Sequence, residues 1–174
     1  MKHAGPLEIE IKVRIPSVAI LQPMLVAAGF ALLNPQTRET SVLWDREGEL
    51  QAQGSVLRLR MYGEAATLTW KGPRLADPRL KIRPEVETAL GDPAAMEGIL
   101  RALGFEPTLH MVKSRSLWGL GDLEACLDEA PFGCFLELEG TREAIEEAMD
   151  LLEVRSYPVE PRTYATLFQA WETA

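Results

Sequence analysis

Cysteine is scarce in this chain. The two present, Cys126 and Cys134, are too few for a disulfide framework and lack the C-x-x-C spacing of a metal or redox pair, so they read as small packing residues in a reducing compartment. Histidine is equally scarce. His3 and His110 form no H-E-x-x-H cluster, and no G-x-S-x-G elbow occurs, which leaves zinc-hydrolase and serine-hydrolase chemistry without the residues they need; His110 reads as a strand-edge or packing residue. The G-x-x-x-x-G-K-[S/T] phosphate loop is missing too. Gly119-Leu120-Gly121 lacks the third glycine and following helix of a dinucleotide fingerprint, so a bound phosphate has to be held by side chains. Bases are outnumbered, 18 against 26 acids, and the net charge of −8 excludes a simple basic nucleic-acid coat. The longest apolar run, Val18 to Leu33, is interrupted by Gln22 and Pro23 and falls short of a membrane span. It reads as a buried helix with a turn after it. Met1-Lys2-His3-Ala4-Gly5-Pro6 has no apolar h-region and no cleavage site, so a cytoplasmic protein is expected.

What is present is the composition of a soluble globular chain: 174 residues, 47% hydrophobic and 25% charged. Its Pro/Gly-containing pieces are short enough to be turns, so one domain over residues 1–174 is expected. Period-2 alternation is the dominant pattern. Leu7, Ile9, Ile11 and Val13 alternate with Glu8, Glu10, Lys12 and Arg14, and Leu57, Leu59 and Met61 alternate with Arg58 and Arg60. Further strands are expected at Thr40–Trp44, Ala66–Lys71, Arg79–Thr88, His110–Trp118, Asp122–Asp128 and Cys134–Glu139. The clearest helix runs from an Asp92 N-cap and Pro93 at the first position, through Met96, Ile99, Leu100 and Leu103, to Gly104 just past its end. Helices are also expected near Val18–Ala28, with Pro23 delaying its start or kinking it, near Arg142–Leu152, and at Tyr164–Trp171, where the apolar spacing points to packing. A weak internal repeat joins the halves. Glu8-Ile9-Glu10, a helix, Gly29-Phe30 and Leu43-Trp44 are echoed by Glu85-Val86-Glu87, a helix, Gly104-Phe105 and Leu117-Trp118.

The charged faces carry the chemistry. They collect the bases Lys12, Arg58, Arg60, Lys71, Lys81, Arg83, Lys113 and Arg115, and the acids Glu8, Glu10, Glu85, Glu87, Glu124, Asp128, Glu137 and Glu139. A solvated outer sheet face alternates in the same way. Repetition over six strands favours an inward charged surface, and so do three E-x-E pairs, whose carboxylates project from one side of a strand and repel unless a cation lies between them. Paired carboxylates suit Mg²⁺ or Mn²⁺, and the Lys/Arg faces supply the fixed cations that a polyphosphate requires.

At Leu7-Glu8-Ile9-Glu10-Ile11-Lys12 the strand pattern coincides with the E-x-E-x-K signature of the CYTH superfamily, named for class IV adenylyl cyclase and thiamine triphosphatase. The resemblance continues in order through Leu57-Arg58-Leu59-Arg60, Thr69-Trp70-Lys71-Gly72-Pro73, Arg83-Pro84-Glu85-Val86-Glu87, Lys113-Ser114-Arg115, Cys126-Leu127-Asp128, Phe135-Leu136-Glu137-Leu138-Glu139 and Glu160-Pro161-Arg162-Thr163-Tyr164. The last is similar to the P-R-[S/T]-Y of the class IV cyclase branch. The resemblance implies an α+β fold: an antiparallel β-barrel, the triphosphate tunnel, with helices packed outside. It implies metal-side carboxylates at Glu8, Glu10, Asp128, Glu137 and Glu139, an acidic wall completed by Glu85 and Glu87, and a triphosphate grip of Lys12, Arg58, Arg60, Lys71, Arg83, Lys113 and Arg115. Glu10 and Lys12 are the expected catalytic pair, while Lys81 and Glu124 match less clearly. Arg162 is expected either at the ligand or in an ion pair that fixes the C-terminal helix. One departure is Leu43-Trp44-Asp45 in place of the commoner Tyr-Phe-Asp, which removes a phenol from that position. Trp44, Trp70 and Trp118 read as packing under helices, with base stacking at a barrel mouth as the alternative.

The implied activity is divalent-metal-dependent conversion of ATP to cyclic AMP and pyrophosphate, as in class IV adenylyl cyclase. The alternative is hydrolysis of inorganic tripolyphosphate, thiamine triphosphate or a nucleoside triphosphate, and a remoter one is a non-catalytic polyphosphate-binding module. The family also implies a homodimer with a small-molecule partner, and neither nucleic acid nor membrane.

Overall fold

A computed structural model describes residues 6–173, so the residues before Pro6, His3 among them, lie outside the described part. Among the described residues the order is β1 (Leu7–Ile15), α1 (Val18–Ala27), β2 (Ala31–Asp45), α2 (Glu49–Ala52), β3 (Val56–Tyr62), β4 (Ala65–Lys71), β5 (Lys81–Ala89), α3 (Pro93–Ala102), β6 (Glu106–Leu120), β7 (Leu123–Ala130), β8 (Gly133–Glu139), α4 (Arg142–Leu151) and α5 (Tyr164–Glu172). The eight strands close into an antiparallel barrel in the order β1-β5-β4-β3-β2-β6-β7-β8, and the fold is α+β. No helix among the described residues is long and apolar enough to cross a membrane.

The internal repeat is visible in the element order. Each half runs strand, ten-residue helix, fifteen-residue strand and then two shorter strands. The two helices also end alike. Gly29 and Gly104 adopt φ of +87° and +82°, a conformation a β-carbon disfavours, and so turn the chain for Phe30 N–H to reach the Leu25 carbonyl (3.0 Å) and Phe105 N–H the Leu100 carbonyl (2.9 Å). Asp92 caps α3 as its sequence predicts, accepting the Ala95 N–H at 2.9 Å.

Three expectations change. Helix α1 starts at Val18 in spite of Pro23, and it is not buried overall: Leu21 and Leu25 face the core, while Ile20 and Val26 are 47% and 62% exposed. Strand β2 begins at Ala31, nine residues before Thr40. Its first part contains Asn34 and Pro35 and is almost wholly exposed, so no alternation betrays it. The short α2 had no sequence signal; it is set by Asp45, whose carboxylate accepts the N–H groups of Leu50 and Gln51, both at 3.0 Å.

Residue contacts divide the chain into two compact units. Among the described residues the first holds 6–7, 38–76 and 82–112, and the second holds 8–37, 77–81 and 113–173. In the first unit Trp44, Leu59 and Leu100 form a buried cluster joined by Leu57, Met61, Leu68, Met96 and Phe105, so α3 covers the apolar face of its strands. In the second, α1 lies on β7 and α4 on β8, burying Leu21, Leu25, Leu127, Leu136, Leu138, Ile145 and Met149. With helices on the apolar faces, the alternate residues of each strand form the opposite, charged face.

Candidate functional site

Strands β1 and β8 of the second unit pair with Glu10 opposite Glu139 and Lys12 opposite Glu137. The two-residue period puts Glu8 on the side of Glu10, and carboxylate oxygens of Glu8, Glu10 and Glu139 come within 4.8 Å of one another. Glu8 is buried. Lys81 donates to Glu10 at 2.6 Å and partly balances the cluster. A donor set made only of oxygen, with three carboxylates converging on one point, suits a hard divalent cation.

Asp128 forms a second centre, with no solvent exposure. It accepts hydrogen bonds from Arg115 Nε (2.6 Å) and Nη2 (2.5 Å), Lys113 Nζ (2.9 Å) and the Tyr164 hydroxyl (2.5 Å). Arg115 also binds Glu137 at 2.5 Å. Burial alone raises the pKa of a carboxyl group, but Arg115, Lys113 and Lys12 overcome that at Glu137 and hold it well below the usual carboxylate range. Lys12 is 1% exposed. Its ammonium donates to the Arg162 carbonyl at 2.7 Å and lies 4.0 Å from the centre of the Tyr164 ring, and burial pulls its pKa down to about 8. Burial and the neighbouring Asp128 and Glu137 charges push the Tyr164 phenol well above its ordinary value, so it remains a donor.

The first unit carries a strip of pairs. Register sets Arg58 beside Thr69, Arg60 beside Thr67, Thr69 beside Glu87 and Lys71 beside Glu85. Glu87 accepts from Thr69 at 2.6 Å and lies 3.3 Å from Arg60 and 3.8 Å from Arg58, and Lys71 meets Glu85 at 2.7 Å. Arg83 is directed elsewhere. Its guanidinium donates to the backbone carbonyls of Gly72 (2.6 and 2.9 Å), Gly54 and Lys71, tying two loops to β5.

The structure therefore sorts the predicted residues. Glu8, Glu10 and Glu139 converge, whereas Asp128 and Glu137 gather around Lys113 and Arg115 within the same unit. Glu85 and Glu87 pair with Lys71, Arg58 and Arg60, and Glu124 is exposed. Arg162 is ion-paired to Glu160 at 2.7 Å. Sequence reasoning missed Tyr164, which reads as helix packing although it ends the Pro161-Arg162-Thr163-Tyr164 motif. It gave Lys81 too little weight and passed over Thr69, whose hydroxyl signals nothing until a register places Glu87 beside it.

The model of the CYTH domain family matches residues 6–162. A Methanocaldococcus jannaschii protein named “Putative adenylate cyclase” is 30% identical over 148 residues, 84% of each chain. A structure from Vibrio parahaemolyticus with the same name superposes with a TM-score of 0.83 at 21% identity, covering 95% of this chain and 99% of that one. A “Putative adenylyl cyclase” of Hippeastrum, described as having a dominant triphosphatase activity, superposes with a TM-score of 0.68 at 20% identity, over 94% and 96% of the two chains. The chain belongs to the CYTH family.

Proposed function

We propose that the chain is a divalent-metal-dependent enzyme acting on a triphosphate, with residues 1–174 serving as a single CYTH domain. The observation that supports this most is the convergence of Glu8, Glu10 and Glu139 on strands that also carry Lys12 and Glu137. Those three carboxylates are assigned to Mg²⁺ or Mn²⁺, which supplies a Lewis acid for phosphoryl oxygens when bound. Lys12, Lys113 and Arg115 are assigned to phosphate oxygens, as fixed cations whose charge stabilises the leaving phosphates. Asp128 holds Lys113 and Arg115 in place, and Glu137 holds Arg115. In the first unit, Arg58, Arg60 and Lys71 are assigned to phosphate as well, and Arg83 to the scaffold.

The leading reaction is that of a class IV adenylyl cyclase: the ATP 3′-oxygen bonds to the α-phosphorus, and the bond from that phosphorus to pyrophosphate breaks. The name of the M. jannaschii relative supports it. The second reading is hydrolysis at the terminal phosphorus of tripolyphosphate, thiamine triphosphate or a nucleoside triphosphate. The activity described for the Hippeastrum relative supports it.

Phosphorus NMR of the purified protein with ATP, or with tripolyphosphate, in Mg²⁺ and then Mn²⁺ tests both. Cyclic AMP with pyrophosphate identifies a cyclase, orthophosphate released from ATP or tripolyphosphate identifies a triphosphatase, and no turnover of these or of thiamine triphosphate in either metal refutes the enzyme reading.

A further inference from the structure

The C-terminal segment reaches the charged face of the second unit by a definite route. Residues 158–160 run along β1: Arg14 N–H donates to the Pro158 carbonyl (2.9 Å), Glu160 N–H donates to the Lys12 carbonyl (2.8 Å), and Val13 and Val159 form a bridge. Glu160 is buried and ion-paired to Arg14 (3.2 Å) and Arg162 (2.7 Å), which anchors the segment. Thr163 then caps α5 by accepting the Thr166 N–H at 3.1 Å, and Tyr164 is the first residue of that helix. This delivers the Tyr164 ring to a point 4.0 Å from the ammonium of Lys12 and 4.0 Å from that of Lys113. Its hydroxyl donates to Asp128, the acceptor shared by Lys113 and Arg115.

We propose that Tyr164 is a positioning residue of the triphosphate site, its ring holding the Lys12 and Lys113 ammonium groups in place for phosphate while its hydroxyl fixes Asp128. The proposal rests on the triphosphate reading above. A lysine side chain has many rotamers and fixing one costs entropy, so two ammonium groups held at set positions before a ligand arrives bind an anion better than two that must be ordered by it. Two like charges close together also repel, and the electron-rich face of an aromatic ring is the neutral group that attracts both. The ring thus does for the two lysines what Asp128 does for Arg115, without adding a negative charge that would repel phosphate.

The test separates ring from hydroxyl. Tyr164→Phe keeps the ring and loses the bond to Asp128, while Tyr164→Leu loses both. The chain has only five lysines, so their side-chain ε-CH₂ signals can be assigned individually by carbon–proton NMR. In the wild type the Lys12 and Lys113 signals are expected upfield of the free-lysine position through the ring current, to stay there in Tyr164→Phe, and to return in Tyr164→Leu. Calorimetric titration with inorganic tripolyphosphate and no added divalent cation, which isolates the basic groups from metal and turnover, is expected to show roughly tenfold weaker binding in Tyr164→Leu and a change of about threefold or less in Tyr164→Phe. A purely structural role would lower the melting temperature of both variants and leave the affinity alone. A folded Tyr164→Leu that binds like wild type overturns the proposal while the triphosphate reading stands. Wild-type protein that binds no tripolyphosphate either without a divalent cation or with Mg²⁺ refutes that reading and the proposal with it. Should Tyr164→Leu not fold, the wild-type titration decides: Lys12 and Lys113 signals that are upfield and respond to tripolyphosphate support the proposal, and signals at the free-lysine position overturn it.

Discussion

The two units use the same strand code, apolar on one face and charged on the other, yet they arrange the charges in different ways. In the second unit the groups share partners: Asp128 receives four donor atoms from three side chains, and Arg115 bridges it to Glu137. In the first unit the acids serve their cross-strand neighbours on a more open surface, with Glu87 33% exposed against none for Asp128. The difference teaches that alternation alone does not set the worth of a charge. A solvated pair can lose a member at little cost, whereas a buried hub that loses its centre strands the charges around it.

The largest effect is expected on catalysis. Glu8→Gln or Glu10→Gln keeps the shape and the hydrogen-bonding capacity but removes a carboxylate from the cluster of three, so metal-dependent turnover should fall to the metal-free rate with the urea midpoint nearly unchanged. Wild-type activity in either variant would take the cation away from that cluster. On stability, the sharpest contrast is Asp128→Ala against Glu87→Ala. The first removes the carboxylate that Arg115 and Lys113 share, leaving Glu137 on Arg115, and should cost about 3–5 kcal/mol, while the second should cost about 1 kcal/mol or less. Equal losses in urea denaturation would erase the distinction between the units.

These contrasts also mark what the sequence reveals and what it conceals. The barrel strands, the E-x-E pairs and the Asp92 and Gly104 ends of α3 are legible because each is a local rule: a period of two, a cap, a left-handed glycine. The assignment of Glu8, Glu10 and Glu139 to one cluster needs only the pairing of β1 with β8, and the repeated E-x-E points to it. Tyr164 is different, since it reaches Asp128 from 36 residues away through a segment whose course is set by Glu160, Arg14 and Arg162. The first part of β2 escapes because Asn34 and Pro35 break its alternation, though its backbone still runs as a strand. Arg83 escapes because its partners are backbone carbonyls, which every residue carries and no pattern can announce.

Arg83 and Arg58 therefore make an informative pair. Both belong to the first unit and both read as phosphate ligands in sequence. Arg83→Ala deprives several carbonyls of a charged donor and should cost about 2–3 kcal/mol in urea denaturation with KM unchanged. Arg58→Ala should do the reverse, raising KM or lowering kcat with a loss of under about 1 kcal/mol. A higher KM in a stable Arg83→Ala would return that residue to the substrate.

The smallest effect concerns acid. In the second unit, the hydrogen bonds from Arg162 outweigh burial and bring the Glu160 carboxyl down to about 2 from an ordinary 4.5. The folded state thus binds fewer protons than the unfolded one between those values, so the stabilisation is complete above the unfolded pKa and is lost as pH falls through the folded one. Because Arg162 is half exposed, solvent screening reduces the contribution to about 1–2 kcal/mol. Glu160→Gln should therefore be less stable than wild type at pH 7 and indistinguishable from it near pH 2. Urea midpoints measured from pH 7 downward should converge between 4.5 and 2. Curves that run parallel through that window would mean that Glu160 fixes the C-terminal segment by packing, and the charge of its ion pairs would then have no part in holding Tyr164 to its place.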